Sequence, residues 1–420
     1  MFSRSKARLA VTGVALVAVA GLLVGCSDDG TSPSGDQTPG AGGPVPDVID
    51  SYPADNWDIT ITSVAADKSV ERPIQEWFMD EAERRTNGAI TFHRTTANEI
   101  CAQSDQYSCI QSGAAGLMVQ VPNYQPTVFA PSSLPEITFN DKADNAAALS
   151  AAMGDLYANN ADVKAFYDAK GLVPVATWTV GRIMLGSSVE LNGPDDLKGL
   201  TMRTAGTIAA PDLAAAGVIP TQVTADEAYN SFSTGLVKAA AGAMDFVSAW
   251  KLGEVLPYWV DPGLGVYSEF SMYWGKDTWD EFPADVQAVL SDIASQLNSG
   301  KAADLLTNGY DTNPMDDSAK THYIGTDEEC KIVQAMSGVK SMTKWSDDQI
   351  AKFKDLGAST PDGKMTNEDL WVKNATAAGL QNAQGVLDQY NSALDKYSSD
   401  ADYSKYAEDA VTTCINSYGK

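Results

Sequence analysis

The chain has 420 residues, with 29 Lys and Arg against 55 Asp and Glu, a formal charge of -26 and only two histidines. That excess of negative charge argues against nucleic acid or an anionic membrane surface as a partner, and so few histidines leave no Cys/His zinc spacing and make histidine catalysis a poor expectation. The length suffices for two or three domains' worth of core.

Arg4, Lys6 and Arg8 precede an apolar run, residues 9–25, that ends at Cys26. A spanning helix needs about 20 apolar residues, so this shorter run reads as an export signal. Leu23-Val24-Gly25-Cys26 resembles the lipobox of bacterial lipoproteins, whose cysteine is lipidated after cleavage. The expectation is a signal peptide over 1–25, a lipid anchor at Cys26 and a disordered tether over 26–50, holding an extracytoplasmic protein to the cell membrane. The alternative is a free cysteine in a failed span.

"WDITITSVA" (57–65) alternates and is β-branched, which predicts a strand. Residues 70–86 place Ile74, Trp77, Phe78 and Ala82 at helical spacing, and "NGAITFHR" turns into a second strand, a β-α-β opening. A helix over 103–112, a strand at 116–122 and helices over 142–158 and 161–170 follow. From 171 the chain becomes extended and is broken at Gly181; "LKGLTMRTAG" is a short strand leading to a helix near 207–216. "GVIPTQV" is a strand, and "TADEAYNSFSTG" a helix with Thr224 as cap and Glu227 completing a capping box. Strand-like residues 262–274 precede one amphipathic helix, "KDTWDEFPADVQAVLSDIASQL", and residues beyond 300 read as mostly helical, with capping signals at 346–349 and 366–369.

The expected fold is α/β, two lobes with short parallel strands that bury a cleft between them. Lobe I spans 51–181, lobe II 182–266, residues 267–300 return to lobe I, and 301–420 form a helical region bracing both. The four cysteines beyond Cys26 form an even set in an exported chain, which favours disulfides. Proximity pairs Cys101 with Cys109, and elimination pairs Cys330 with Cys414.

No nucleophile elbow, phosphate loop, dinucleotide turn or zinc-protease helix occurs after the signal, so no catalytic residue, cofactor or metal is expected. Paired carboxylates could serve a glycosidase, but a sequence cannot set two of 55 acids about 5 to 9 Å apart. Arg203, on a short apolar strand of an acidic chain, is the more specific signal. Buried without a partner it would cost several kcal/mol, whereas its fork can hold a carboxylate by two charge-assisted bonds. The alternative is an internal Asp or Glu partner, or solvent.

"GPDDLKGLTMRTAG" (193–206), "GVIPTQVTADEAYNSFSTGLVKAAAG" (217–242) and "YWGKDTWDEFPADVQAVLSDIA" (273–294) resemble the DctP-type solute-binding proteins of tripartite ATP-independent periplasmic (TRAP) transporters. The resemblance implies a two-lobed periplasmic-binding-protein-like fold with parallel-rich sheets and hinge strands, whose α/β lobes close on a small organic acid and pass it to an integral-membrane permease driven by an ion gradient, with Arg203 clamping the ligand carboxylate. "WTVGR" nearly matches a second family arginine and adds Arg182, against a surface or inter-lobe ion pair. Where the family commonly carries an acidic turn residue and an asparagine, this chain has Lys238 and Gly242. With the nearby tryptophans, that departure suits an apolar or aromatic acid.

Further ligand contacts are expected at Trp178 and Trp250, each otherwise plain core, and at Gln120, Asn123 and Tyr124, at the C-terminal end of a strand, where open α/β sheets bind ligands. Asp67 and Ser69 follow the first strand and otherwise cap a helix. The expected function is a monomeric, lipid-anchored TRAP receptor. An ABC-importer receptor, a surface hydrolase and a sensory receptor are the alternatives.

Overall fold

A computed structural model describes residues 44–140, 145–204, 209–265, 269–313, 315, 318, 320–357, 365–404 and 414–415. The anchor region at Cys26 and most of the tether lie outside the described residues. Residues 44–50 are packed at their end: Ile49 is buried, its N–H donates to the Arg85 carbonyl at 2.7 Å, and Arg85 binds the carbonyls of Pro46 and Asp47.

The strands in chain order are β1 (Trp57–Ser63), β2 (Ile90–His93), β3 (Leu117–Gln120), β4 (Leu172–Thr179), β5 (Met184–Ser187), β6 (Thr201–Thr204), β7 (Ile219–Gln222), β8 (Ala239–Gly242), β9 (Tyr258–Asp261), β10 (Glu269–Gly275), β11 (Tyr310–Asp311), β12 (His322–Tyr323) and β13 (Ser341–Lys344). They form a five-stranded sheet, β2-β1-β3-β10-β4, a six-stranded sheet, β13-β9-β5-β8-β6-β7, and the pair β11-β12. In the first sheet β1 runs parallel to β2 and β3, while β10 is antiparallel to β3 and β4. In the second, β6 is parallel to β7 and β8, β13 is parallel to β9, and β5 is antiparallel to β8 and β9. This is the two-sheet α/β arrangement expected.

Sequence pattern explains the first lobe. All four residues of β3 are buried, as a strand covered on both faces requires. The helix Arg72–Arg85 sends Ile74, Trp77, Phe78 and Ala82 into the core, and Phe78 meets Trp274 of β10 at 6.1 Å between ring centroids. Two segments cross between the sheets, from β4 to β5 and from β9 to β10. They are tied together by the N–H of Ile183 on the Gly265 carbonyl at 2.8 Å, and Gly181 takes the left-handed φ of 116° that the first crossing needs.

Three local expectations change. The single helix after β10 is two, Lys276–Glu281 and Ala284–Gln296, because Pro283 at the second N-cap holds Phe282 extended. Thr224 does begin its helix but caps no backbone N–H; its hydroxyl donates to the Glu227 carboxylate at 3.0 Å instead. The region beyond 300 is not purely helical, since β13 extends the second sheet at its edge. Its helix Asp347–Gly357 packs beside that sheet, with Trp345 Nε1 donating to the Leu191 carbonyl at 2.8 Å. The helix Ala383–Ser398 packs on Ala146–Asn159 of the first lobe. Both expected disulfides, Cys101–Cys109 and Cys330–Cys414, are present.

Candidate functional site

Arg203 sits on β6 between β7 and β8 and is 1% exposed. Its Nε donates to the Val223 carbonyl at 2.8 Å and one terminal nitrogen to the Ala241 carbonyl at 3.0 Å; the other approaches the Tyr124 hydroxyl at 3.4 Å. The Phe246 ring lies 4.3 Å from the guanidinium carbon. Carbonyl dipoles and a ring face hold the fork in place, and Asp245 is drawn to its charge.

Arg203 borders a cavity of about 30 Å³ between the lobes. Val64, Glu71, Gln103, Val121, Tyr124 and Phe270 line it from the first lobe, and Ala225, Asp245, Phe246 and Trp250 join Arg203 from the second. Gln103 Oε1 accepts from the Ala225 N–H at 3.3 Å, a bond across the cleft. The two acids are conspicuous: Glu71 is 3% and Asp245 8% exposed, and Glu71 Oε2 and Asp245 Oδ1 have no hydrogen-bond partner. Burial raises both carboxyls above their usual range, and their mutual repulsion raises Glu71 further. Behind Asp245, Glu329 accepts from the Ser248 hydroxyl at 2.5 Å and is pushed up to about 8 by burial and by Asp245.

Residues 61–308, well over half of the chain, match the family described as bacterial extracellular solute-binding protein, family 7, or DctP. The chain belongs to this DctP family. Its members bind solutes and are not enzymes. The C4-dicarboxylate-binding periplasmic protein of Rhodobacter capsulatus is 24% identical over 218 residues, 51% of this chain and 63% of that relative's length. Among solved structures, a TRAP solute-binding protein of Rhodoferax ferrireducens in complex with copurified benzoate superposes with a TM-score of 0.65 at 18% identity, over 81% of this chain and 98% of that one. The periplasmic ectoine-binding protein of a Halomonas elongata TRAP transporter gives 0.62 at 18% identity, over 81% and 99%. These likenesses establish the DctP fold.

Within that fold, Arg203, Tyr124 and Trp250 converge on one cavity. Trp178 stands one layer behind, stacked on Phe270 with ring centroids 6.2 Å apart and its Nε1 unpartnered. Asn123 is buried next to Tyr124, with neither amide atom paired. Gln120 acts through a neighbour: its Nε2 donates to the Gln103 carbonyl at 3.0 Å and so helps position Gln103. Arg182 is outside the cavity lining, with its Nε on Asp261 at 2.8 Å, a buried ion pair within the second lobe and of neither the expected surface nor the expected inter-lobe kind. Asp67 turns to Arg72 at 3.5 Å and Ser69 donates to the Ala66 carbonyl at 2.6 Å, so neither lines the cavity.

Sequence reasoning missed Glu71, Gln103, Asp245, Phe246 and Phe270. Glu71 lies two residues beyond Ser69 in the same β-α loop, and Asp245 follows β8 by three. That position after a strand was a usable signal; their acidic character, in so acidic a chain, was not.

Proposed function

We propose that this protein is an extracytoplasmic receptor that binds a small organic acid through an ion pair with Arg203 and delivers it to a TRAP-type secondary transporter. The observation that carries the reading is the buried guanidinium, held by carbonyls and a ring face at the border of an inter-lobe cavity. Bidentate pairing there gains strength from the low dielectric of a closed cleft. A cavity of about 30 Å³ holds on the order of one water, so the lobes must part to admit a ligand and close around it. The crossings at Gly181 and Gly265 are where such a hinge would act. The benzoate bound by the Rhodoferax relative and the C4-dicarboxylates of the Rhodobacter relative support the acid class. Cleavage before Cys26 and lipidation there would keep the receptor beside its permease.

Calorimetric titration with benzoate, mandelate, succinate and other small carboxylates tests the clamp. One acid is expected to bind, and Arg203→Ala to weaken it by about 2–5 kcal/mol, the usual effect of truncating one partner of a buried charge pair. Equal affinities in a folded variant would sink the clamp. Uptake into vesicles carrying the permease should follow an ion gradient and not ATP; ATP-dependent uptake would move the protein to the importer alternative.

A further inference from the structure

The cavity at Arg203 carries groups of both signs. Arg203 supplies a fixed cation, and Glu71 and Asp245 line the same cavity, each with one buried oxygen that has no hydrogen-bond partner; Arg203 attracts Asp245 and leaves Glu71 to burial and repulsion. A ligand carrying only negative charge would pair with Arg203 and bring no counter-charge to Glu71 and Asp245, which burial holds towards the protonated form. Glu329 lies behind Asp245 and adds to that acidity. Buried acceptors with no donor are costly, and they are satisfied by a ligand that brings the donor.

We propose that the ligand of this receptor is a zwitterion, its carboxylate on Arg203 and a cationic N–H group on Glu71 and Asp245. The inference rests on the carboxylate reading of Arg203. An ammonium or amidinium group fits the two unpaired oxygens because it offers several N–H donors, which a quaternary ammonium lacks. Trp250 and Phe270 line the same cavity, and aromatic rings there suit a cation better than a neutral group. Discrimination comes from the cavity itself: the cation of an amino acid draws the two carboxyls into their ionised, hydrogen-bonded form, and the hydroxy acid of the same shape brings no charge to do so.

Matched pairs that differ only in NH₃⁺ against OH test this on the purified protein by calorimetry. The pairs are alanine and lactate, 4-aminobutyrate and 4-hydroxybutyrate, and 4-(aminomethyl)benzoate and 4-(hydroxymethyl)benzoate. In at least one pair the amino member is expected to bind tighter than its hydroxy partner by about tenfold or more. Glu71→Gln and Asp245→Asn, both near-isosteric, should each erase or invert that preference while still melting cooperatively. If either variant fails to fold, the pair comparison on the unaltered protein decides. Failure of every amino member to bind, or hydroxy members binding as tightly, overturns the proposal. If a simple acid then binds in an Arg203-dependent way, the clamp stands and only the zwitterion falls. If amino members bind equally well to Arg203→Ala, the clamp itself falls.

Discussion

At Gly242 an added Cβ would lie 2.5 Å from the Phe246 ring, closer than real contacts allow. The missing side chain is therefore what lets Phe246 reach the guanidinium of Arg203. Gly242→Ala should push the ring aside at a cost of about 1–3 kcal/mol, the range for overpacking a filled site. The expected outcome is a lower melting temperature together with weaker ligand binding, because Arg203 loses one of its walls. A variant that melts and binds like the parent would show that the ring can shift freely. Gly242 itself was legible as a departure from the family pattern, but its consequence was not. The departure pointed to an apolar ligand pocket, whereas the freed space is filled from within by Phe246. Arg203 stood out because cations are scarce here. Glu71 and Asp245 did not, since burial, which sets them apart from the other acids, is a property of the folded chain.

Elements with long periodic patterns were readable and short polar ones were not. The β1, helix Arg72–Arg85 and β2 opening follows from apolar spacing alone. Strand β13 is four residues, "SMTK", with only Met342 fully buried, and it exists because the edge of β9 is there to pair with. The two capping signatures differ in the same way. Thr366 and Asp369 form a reciprocal capping box, but Thr224 spends its hydroxyl on Glu227 and leaves the helix uncapped by its side chain. The disulfides scale with the segments they close. Cys330–Cys414 spans 84 residues and Cys101–Cys109 only 8, so chain entropy assigns the first about 4.5 kcal/mol and the second about 2.5 kcal/mol. Replacing Cys330 and Cys414 together by Ser should lower the melting temperature clearly more than replacing Cys101 and Cys109. Equal losses would mean that the reduced chain keeps the C-terminal segment in place without the bond.

On the scale of the whole molecule, two sheets joined by crossing strands were expected and found, but the way the C-terminal region locks them was hidden. Asp212 shows the lock. It sits on the second-lobe helix Ala210–Ala215, accepts from the Thr138 hydroxyl of the first lobe, and accepts from Asn367 Nδ2 of the C-terminal helix at 3.3 Å. Burial raises its carboxyl from 3.8 to about 7, against the smaller opposing effect of those two donors. Glu329 is raised in the same sense, from 4.5 to about 8.

A raised carboxyl makes the folded chain the tighter proton binder. Below the ordinary value both states are protonated and the group is neutral to stability. Between the ordinary and the raised value only the unfolded chain gives up its proton, so stability falls as pH rises; above the raised value the penalty is constant. For Asp212 the fall therefore runs from about 4 to about 7, and for Glu329 it continues to about 8. Each costs at most about 4 to 5 kcal/mol, at about 1.36 kcal/mol per pH unit. Urea unfolding midpoints should accordingly drop between about pH 5 and pH 8, a direction that the charge of -26 reinforces through self-repulsion. High salt should weaken the self-repulsion and leave the buried contribution. Asp212→Asn removes one titrating group while keeping an acceptor oxygen for Thr138 and Asn367, so it should flatten the curve between pH 5 and pH 7 and raise stability at neutral pH. An Asn variant whose midpoints fall as steeply as the parent's would show that Asp212 is not a source of the pH dependence and leave it to Glu329, Asp245 and the surface charge.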